Sequence, residues 1–114
     1  MKYKLTDRHE DRNLYRVVNV ETMELGGWVE SERNLSQYGE SWVDGEAKVW
    51  GNGFVGGDAH VGGGSEVYGN ASVIGRSVVR HHARVFDEAI VYDSPRLSGW
   101  VEVGGRAAVF GEAS

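Results

Sequence analysis

The chain has 114 residues, with 17 Gly, 17 acids against 12 Lys and Arg, four His and no Cys. That length suits one small domain, the lack of Cys excludes disulfides and thiol chemistry, and no apolar run reaches the ~20 residues of a membrane helix. A net charge of −5 argues against unaided binding to nucleic acid or an anionic membrane, so neither is an expected partner.

The charged start Met1-Lys2-Tyr3-Lys4 is followed by no apolar core, so no signal peptide is read and the expected location is the cytoplasm. Tyr3-Lys4-Leu5 and Leu14 to Val20 read as two strands separated by a polar turn from Thr6 to Asn13. Leu25 lies eighteen residues before Val43, which predicts an irregular first coil. Residues 1–38 as a whole are expected to form a cap that covers this coil with Trp28, Leu35 and the hairpin.

From Gly39 the chain repeats every six residues. Stepping from Val43 gives Val49, Val55, Val61, Val67, Val73, Val79, Val85, Val91, Leu97, Val103 and Val109: twelve aliphatic positions, eleven of them Val, with no break in register. Two residues earlier the chain is small (Ser41, Ala47, Gly53, Ala59 and onward), with Pro95 and Val101 as departures. Two residues later stands Gly, replaced by His81, Asp87 and Asp93.

Strand alternation turns the small residue and the Val to the same side, and a residue tolerant of positive φ makes the bend. Each hexad is therefore a short strand and a corner. Three sides of at most ~20 Å enclose a triangle whose walls lie roughly 5–6 Å from its centre, the half-spacing of packed sheets. Val fits that interior, whereas four sides would need Leu or Phe. Residues 39–114 then form a single solenoid of about four turns, eighteen residues each, stacked ~4.8 Å apart.

The motif of aliphatic residue, Gly or acid, two variable positions and a small residue resembles the hexapeptide-repeat, left-handed parallel β-helix family. The run Gly26-Gly27-Trp28-Val29-Glu30-Ser31-Glu32-Arg33-Asn34-Leu35-Ser36 resembles the lead-in of short bacterial and phage solenoids of this type. Left-handedness is what the resemblance implies; crossovers between parallel strands are otherwise right-handed. The expected fold class is thus all-β, a left-handed parallel β-helix with a small N-terminal β cap.

Stacking by eighteen sorts the outward residues into columns. Face one holds Val43, Val61, Val79 and Leu97 inside, with Trp42, His60, Val78 and Arg96 before them and Asp44, Gly62, Arg80 and Ser98 after. Face two holds Val49, Val67, Val85 and Val103, preceded by Lys48, Glu66, Arg84 and Glu102, which alternate in sign, and followed by Trp50, Tyr68, Phe86 and Gly104. Face three holds Val55, Val73, Val91 and Val109, with Phe54, Ser72, Ile90 and Ala108 in one outer column and Gly56, Ile74, Tyr92 and Phe110 in the other.

Aromatic stacking accounts for one apolar column but not for two side by side. Trp50, Phe54, Tyr68, Ile74, Phe86, Ile90, Tyr92 and Phe110 are therefore the expected interface, on the edge where faces two and three meet, with a dimer or trimer of this chain as its simplest use. The last hexad ends at Ala113-Ser114 with no helix or charged cap, which predicts a strand edge that either pairs end to end with another copy, the reading preferred here, or is frayed and tolerated as short.

Many members of the family that the chain resembles are trimeric acyltransferases with a His base at a subunit interface. Here no loop bulges from a coil and no acyl-CoA-binding extension is recognisable. His60 points outward on face one, but Asp58 lies across a corner from it. It is the one candidate base, and no catalytic residue is assigned. His81 and His82 read as corner residues, and two adjacent His make no metal site alone, so no metal and no cofactor is expected. Arg76, Arg80, His81, His82 and Arg84 form a basic girdle that suits phosphate or an acidic partner, but ion pairing within the stack is the preferred account, Arg76 with Asp58 and Arg84 with Glu66 and Glu102.

The expected function is a non-catalytic protein-binding and oligomerisation scaffold. Its size and lead-in resemble phage accessory proteins, which suggests inhibition of a host enzyme by surface binding. The alternatives are a minimal acyl-CoA-dependent acyltransferase and an acidic mimic of nucleic acid. The ten acids and six basic residues of the repeat give the last little support.

Overall fold

A computed structural model describes residues 1–9 and 13–111. Ala113 and Ser114, where the end-to-end contact was expected, lie outside the described residues. The hexads form a triangular parallel β-solenoid with turns of about eighteen residues. Face one is a four-stranded sheet built from Trp42–Val43, His60–Val61, Val78–Val79 and Arg96–Leu97. Face three is a second four-stranded sheet: Phe54–Val55, Ser72–Val73, Ile90–Val91 and Ala108–Val109. Face two carries Lys48–Val49, Glu66–Val67, Arg84–Val85 and Glu102–Val103. Rows one to four below are these four levels.

The alternation acts as expected. Every repeat Val from Val43 to Val91 is fully buried, as are Ala47, Ala59, Ala71, Ala83 and Ala89. In rows one to three the outward residue before the Val donates its N–H to the carbonyl two residues before the Val one row on, as in Trp42 to Ala59 at 3.0 Å. The outward residue after it does the same to the next Val, as in Asp44 to Val61 at 2.8 Å.

Corners close on themselves. The small residue's N–H reaches back three residues, Ala59 to Gly56 at 3.2 Å for example. Gly57 at the bend has φ of +63°, and a Cβ there would stand 2.9 Å from the nitrogen of Gly75 in the next row. His81, Asp87 and Asp93 occupy equivalent bends at φ of 68°, 60° and 65°. They do so despite the steric cost of this region for residues with a Cβ.

Two expectations for the N-terminal segment need correction. Strand β1 (Tyr3–His9) continues through the first half of the stretch read as a turn, pairing antiparallel with β2 (Tyr15–Asn19) across a register shift between Leu5 and His9. Leu25 does not line the interior below Val43; it is 39% exposed and pairs with Val18. Strand β3 (Leu25–Val29) sets Val29 against Val49, and Leu35 bridges to Val55, both at a spacing of twenty. The two extra residues are absorbed before Trp42, where spacing returns to eighteen. β3 adds a fifth parallel row to face two, so the solenoid has about five turns rather than four. The face-two sheet then runs β1-β2-β3 and on through its four repeat strands, joining cap and solenoid in one ladder.

The start of the outer β1 edge is covered by Gln37. Its Oε1 accepts from the Lys2 and Tyr3 N–H groups at 2.8 and 3.1 Å, and its Nε2 donates to the Tyr3 carbonyl at 3.1 Å. This one amide satisfies backbone that would otherwise offer a pairing edge. The Tyr3 ring is fully buried, and its hydroxyl donates to the carbonyls of Leu35 and Glu32. Burial, reinforced by the Glu32 carboxylate, pushes the phenol up to about 12.

In the unfolded chain that phenol ionises near ~10. Its contribution is therefore complete below that pH and is lost as pH climbs towards 12. Urea unfolding followed by circular dichroism should show stability falling across this window. Tyr3→Phe should start less stable and flatten the fall; an equally steep fall in the variant would assign the alkaline sensitivity elsewhere.

Candidate functional site

The three faces differ in how their side chains are satisfied. On face two the charged column is paired within the chain. Arg84 Nε lies 3.3 Å from Glu66 Oε1 and its Nη1 3.8 Å from Glu102 Oε2. Such half-exposed pairs contribute ~0.2–1 kcal/mol each. Beside them Trp50 and Tyr68 stack at 4.5 Å and 4°, and Tyr68 and Phe86 at 5.5 Å and 11°. Gly104 ends this ladder because the Phe86 ring lies over it, where a Cβ would meet the ring at 2.4 Å. Below row one, Arg16 lies 4.3 Å over the Trp28 ring and 2.6 Å from Glu46. That hydrogen bond holds the Glu46 carboxyl below its ordinary range.

Face three carries no charged side chain in either outer column. Phe54 folds over Gly56, Tyr92 stacks on Phe110 at 5.2 Å, and Ile90 and Phe110 are 43% and 61% exposed. The expected interface residues do not share one edge, however. Trp50, Tyr68 and Phe86 lie on the face-two side of a polar corner formed by Asn52, Asn70, Glu88 and Arg106. Asn52 Nδ2 donates to Asn70 Oδ1 at 2.9 Å, and Arg106 lies 3.8 Å from Glu88. Phe54, Ile74, Ile90, Tyr92 and Phe110 lie beyond it, on face three. The apolar surface is a stacked ladder and a separate uncharged face.

Face one is different again. Its charges carry no partner of their own among the described residues: Asp44, Arg76 and Arg80 make no ion pair and no side-chain hydrogen bond. The expected Arg76–Asp58 pair does not form. Asp58 Oδ1 instead accepts from the Glu40 N–H at 3.0 Å, because the corner turns its carboxylate towards backbone. His60 is exposed and edges a depression of about 230 Å³ with Asp44, Gly62 and Arg80. That is below the ~300–1,000 Å³ of ordinary small-molecule pockets. His82 stacks on Trp100 at 4.2 Å. Among the described residues no three His, Asp or Glu side chains converge as a metal-binding group.

Compared with known proteins, the chain matches no family description and no curated sequence. What the surface does must be read from its own chemistry.

Residues that sequence reasoning missed lie in the cap. Asn34 is completely buried and bonds to four backbone groups of the cap and first coil. Gln37 bonds the backbone at the start of β1. Neither belongs to the repeat, so only a buried amide's need for partners distinguishes them, and burial of a single polar residue leaves no periodic trace.

Proposed function

We propose that this chain is a non-catalytic scaffold of the left-handed hexapeptide-repeat type that works as a homodimer, two copies packing through face three. The observation that carries the reading is the lack of charge across eight outward positions of one sheet, with Ile90 and Phe110 open to water. Faces one and two spend the same positions on Lys, Arg, Asp, Glu and His. Contiguous apolar surface of this kind marks an interface. Four rows ~4.8 Å apart on a side of at most ~20 Å give this face roughly 400 Å², about half the ~800 Å² per partner of a standard interface.

Light scattering at about 0.5 M salt, where surface charge is screened, should give twice the 12.5 kDa chain mass. Ile90→Arg with Phe110→Glu should halve that value while leaving the circular dichroism spectrum unchanged, since both side chains already face solvent. A wild-type monomer at that salt would remove face three as a self-contact.

A further inference from the structure

The unpaired charges of face one are sorted by row. Row one presents Glu40 and Asp44 around Trp42, with Lys2 drawn to Glu40; row three presents Arg76 and Arg80 around Val78. Between them row two holds Asp58, His60, Gly62 and Gly64. Strand pairing fixes these levels, with Trp42 beside His60 and His60 beside Val78. Acid and base thus stand two rows apart in the same columns, at about 9–10 Å for a ~4.8 Å rise. Gly62 leaves the space between Asp44 and Arg80 empty.

We infer that face one is a second self-contact, electrostatic in kind, that joins two copies antiparallel about a two-fold axis running along the strand through Gly62. That operation maps row one onto row three without changing columns. Asp44 then faces Arg80 of the second copy, and Glu40 faces Arg76 of the second copy. Trp42 packs on Val78 of the second copy. Each contact occurs twice, as an isologous interface requires.

Facing sheets lie ~10 Å apart, a gap that an Arg reaching towards an Asp spans. The parallel arrangement is excluded by the same map, because it sets row one against row one and row three against row three. Like charges meet near the axis at Asp58, where the Arg76 guanidinium of each copy flanks the pair, and Lys2, held on Ser41, comes opposite Arg76 of the second copy beside its Glu40 contact. Face two has alternating charges as well, but its Arg84 is already engaged by Glu66 and Glu102 within the chain.

This contact is independent of the one on face three. With both in place, dimers join into larger assemblies at low salt and fall back to dimers when the charges are screened.

The test uses the full chain carrying Ile90→Arg and Phe110→Glu, which silences face three. Light scattering should then give a dimer at about 0.01 M salt and a monomer at about 1 M, where the Debye length is ~3 Å. Adding either Asp44→Arg or Arg80→Asp should leave a monomer at both salts. Combining them in one chain should restore the low-salt dimer, and mixing the two singly reversed chains should give a heterodimer. Circular dichroism confirms that each variant is folded, as expected for exposed positions. A dimer that survives Asp44→Arg, a double reversal that stays monomeric, or a mass that ignores salt would each overturn the inference. If instead the wild type is a salt-insensitive dimer, the face-three reading stands and this one fails.

Discussion

Val73→Asp should leave the chain largely unfolded, whereas Ser72→Asp, one residue earlier on the same strand, should cost less than about 1 kcal/mol. Val73 is fully buried between Val55 and Val91 in a column that holds no polar atom. A carboxylate placed there loses its water and gains no donor, a penalty of at least several kcal/mol. A domain of this size has only ~5–15 kcal/mol to lose. The position is also central: in a solenoid each turn is held by its neighbours, so breaking a middle row detaches the rows on both sides. Ser72 points outward between Phe54 and Ile90, so its replacement stays hydrated. Urea titrations by circular dichroism, at concentrations too low for association, measure both. Equal midpoints would mean that the alternation of inward and outward residues is wrong.

That contrast rests on the part of the molecule most legible in the sequence. A strict period of six has one physical solution when Val and Ala alternate with polar residues and Gly marks the bend. The interior columns, corners and stacked neighbours then follow without further assumption. His81, Asp87 and Asp93 were readable as Gly substitutes because they hold the Gly place in the period, and their positive φ values agree. The cap was not readable in the same way. A spacing of eighteen between Leu25 and Val43 was extrapolated from the repeat, but the chain there inserts two residues and sets Val29 beneath Val49. Nothing periodic specifies that offset; Gln37 and Asn34 specify it through hydrogen bonds.

The candidate surfaces were legible by column and not by row. Listing outward residues revealed an apolar face, yet Asn52 and Asn70 at the corner separate its two halves. Whether a charge is used within the chain depends on side-chain reach. Arg84 has acids directly above and below it and pairs with both. Arg80 has Gly62 below it and Ser98 beside it. The same residue type is thus paired within the chain in one column and makes no ion pair among the described residues in the next.

Asn34→Leu should destabilise the chain by about 3–5 kcal/mol, the second large effect. The substitution keeps the γ-branched shape, adds volume at a fully buried site, and removes every bond that ties the cap to the first coil at this point. Asn34 Oδ1 accepts from the N–H groups of Glu30 and Ser31 at 3.0 and 2.8 Å, while Nδ2 donates to the carbonyls of Gly51 and Gly53 at 3.2 and 2.8 Å. The Glu30 N–H retains its bond to Val49, so three backbone groups lose their partner rather than four. Each costs ~1–3 kcal/mol if buried, less where water can enter. Asn34→Asp separates the two halves of the amide. It keeps the acceptor for Ser31 but turns a second oxygen towards the Gly51 and Gly53 carbonyls, so it should be no more stable than Leu at neutral pH. Hydrogen exchange should place the loss in residues 28–36 before the repeat. If both variants match the wild type, the cap is held by apolar packing of Leu35 and Val29 alone, and the twenty-residue offset needs another cause.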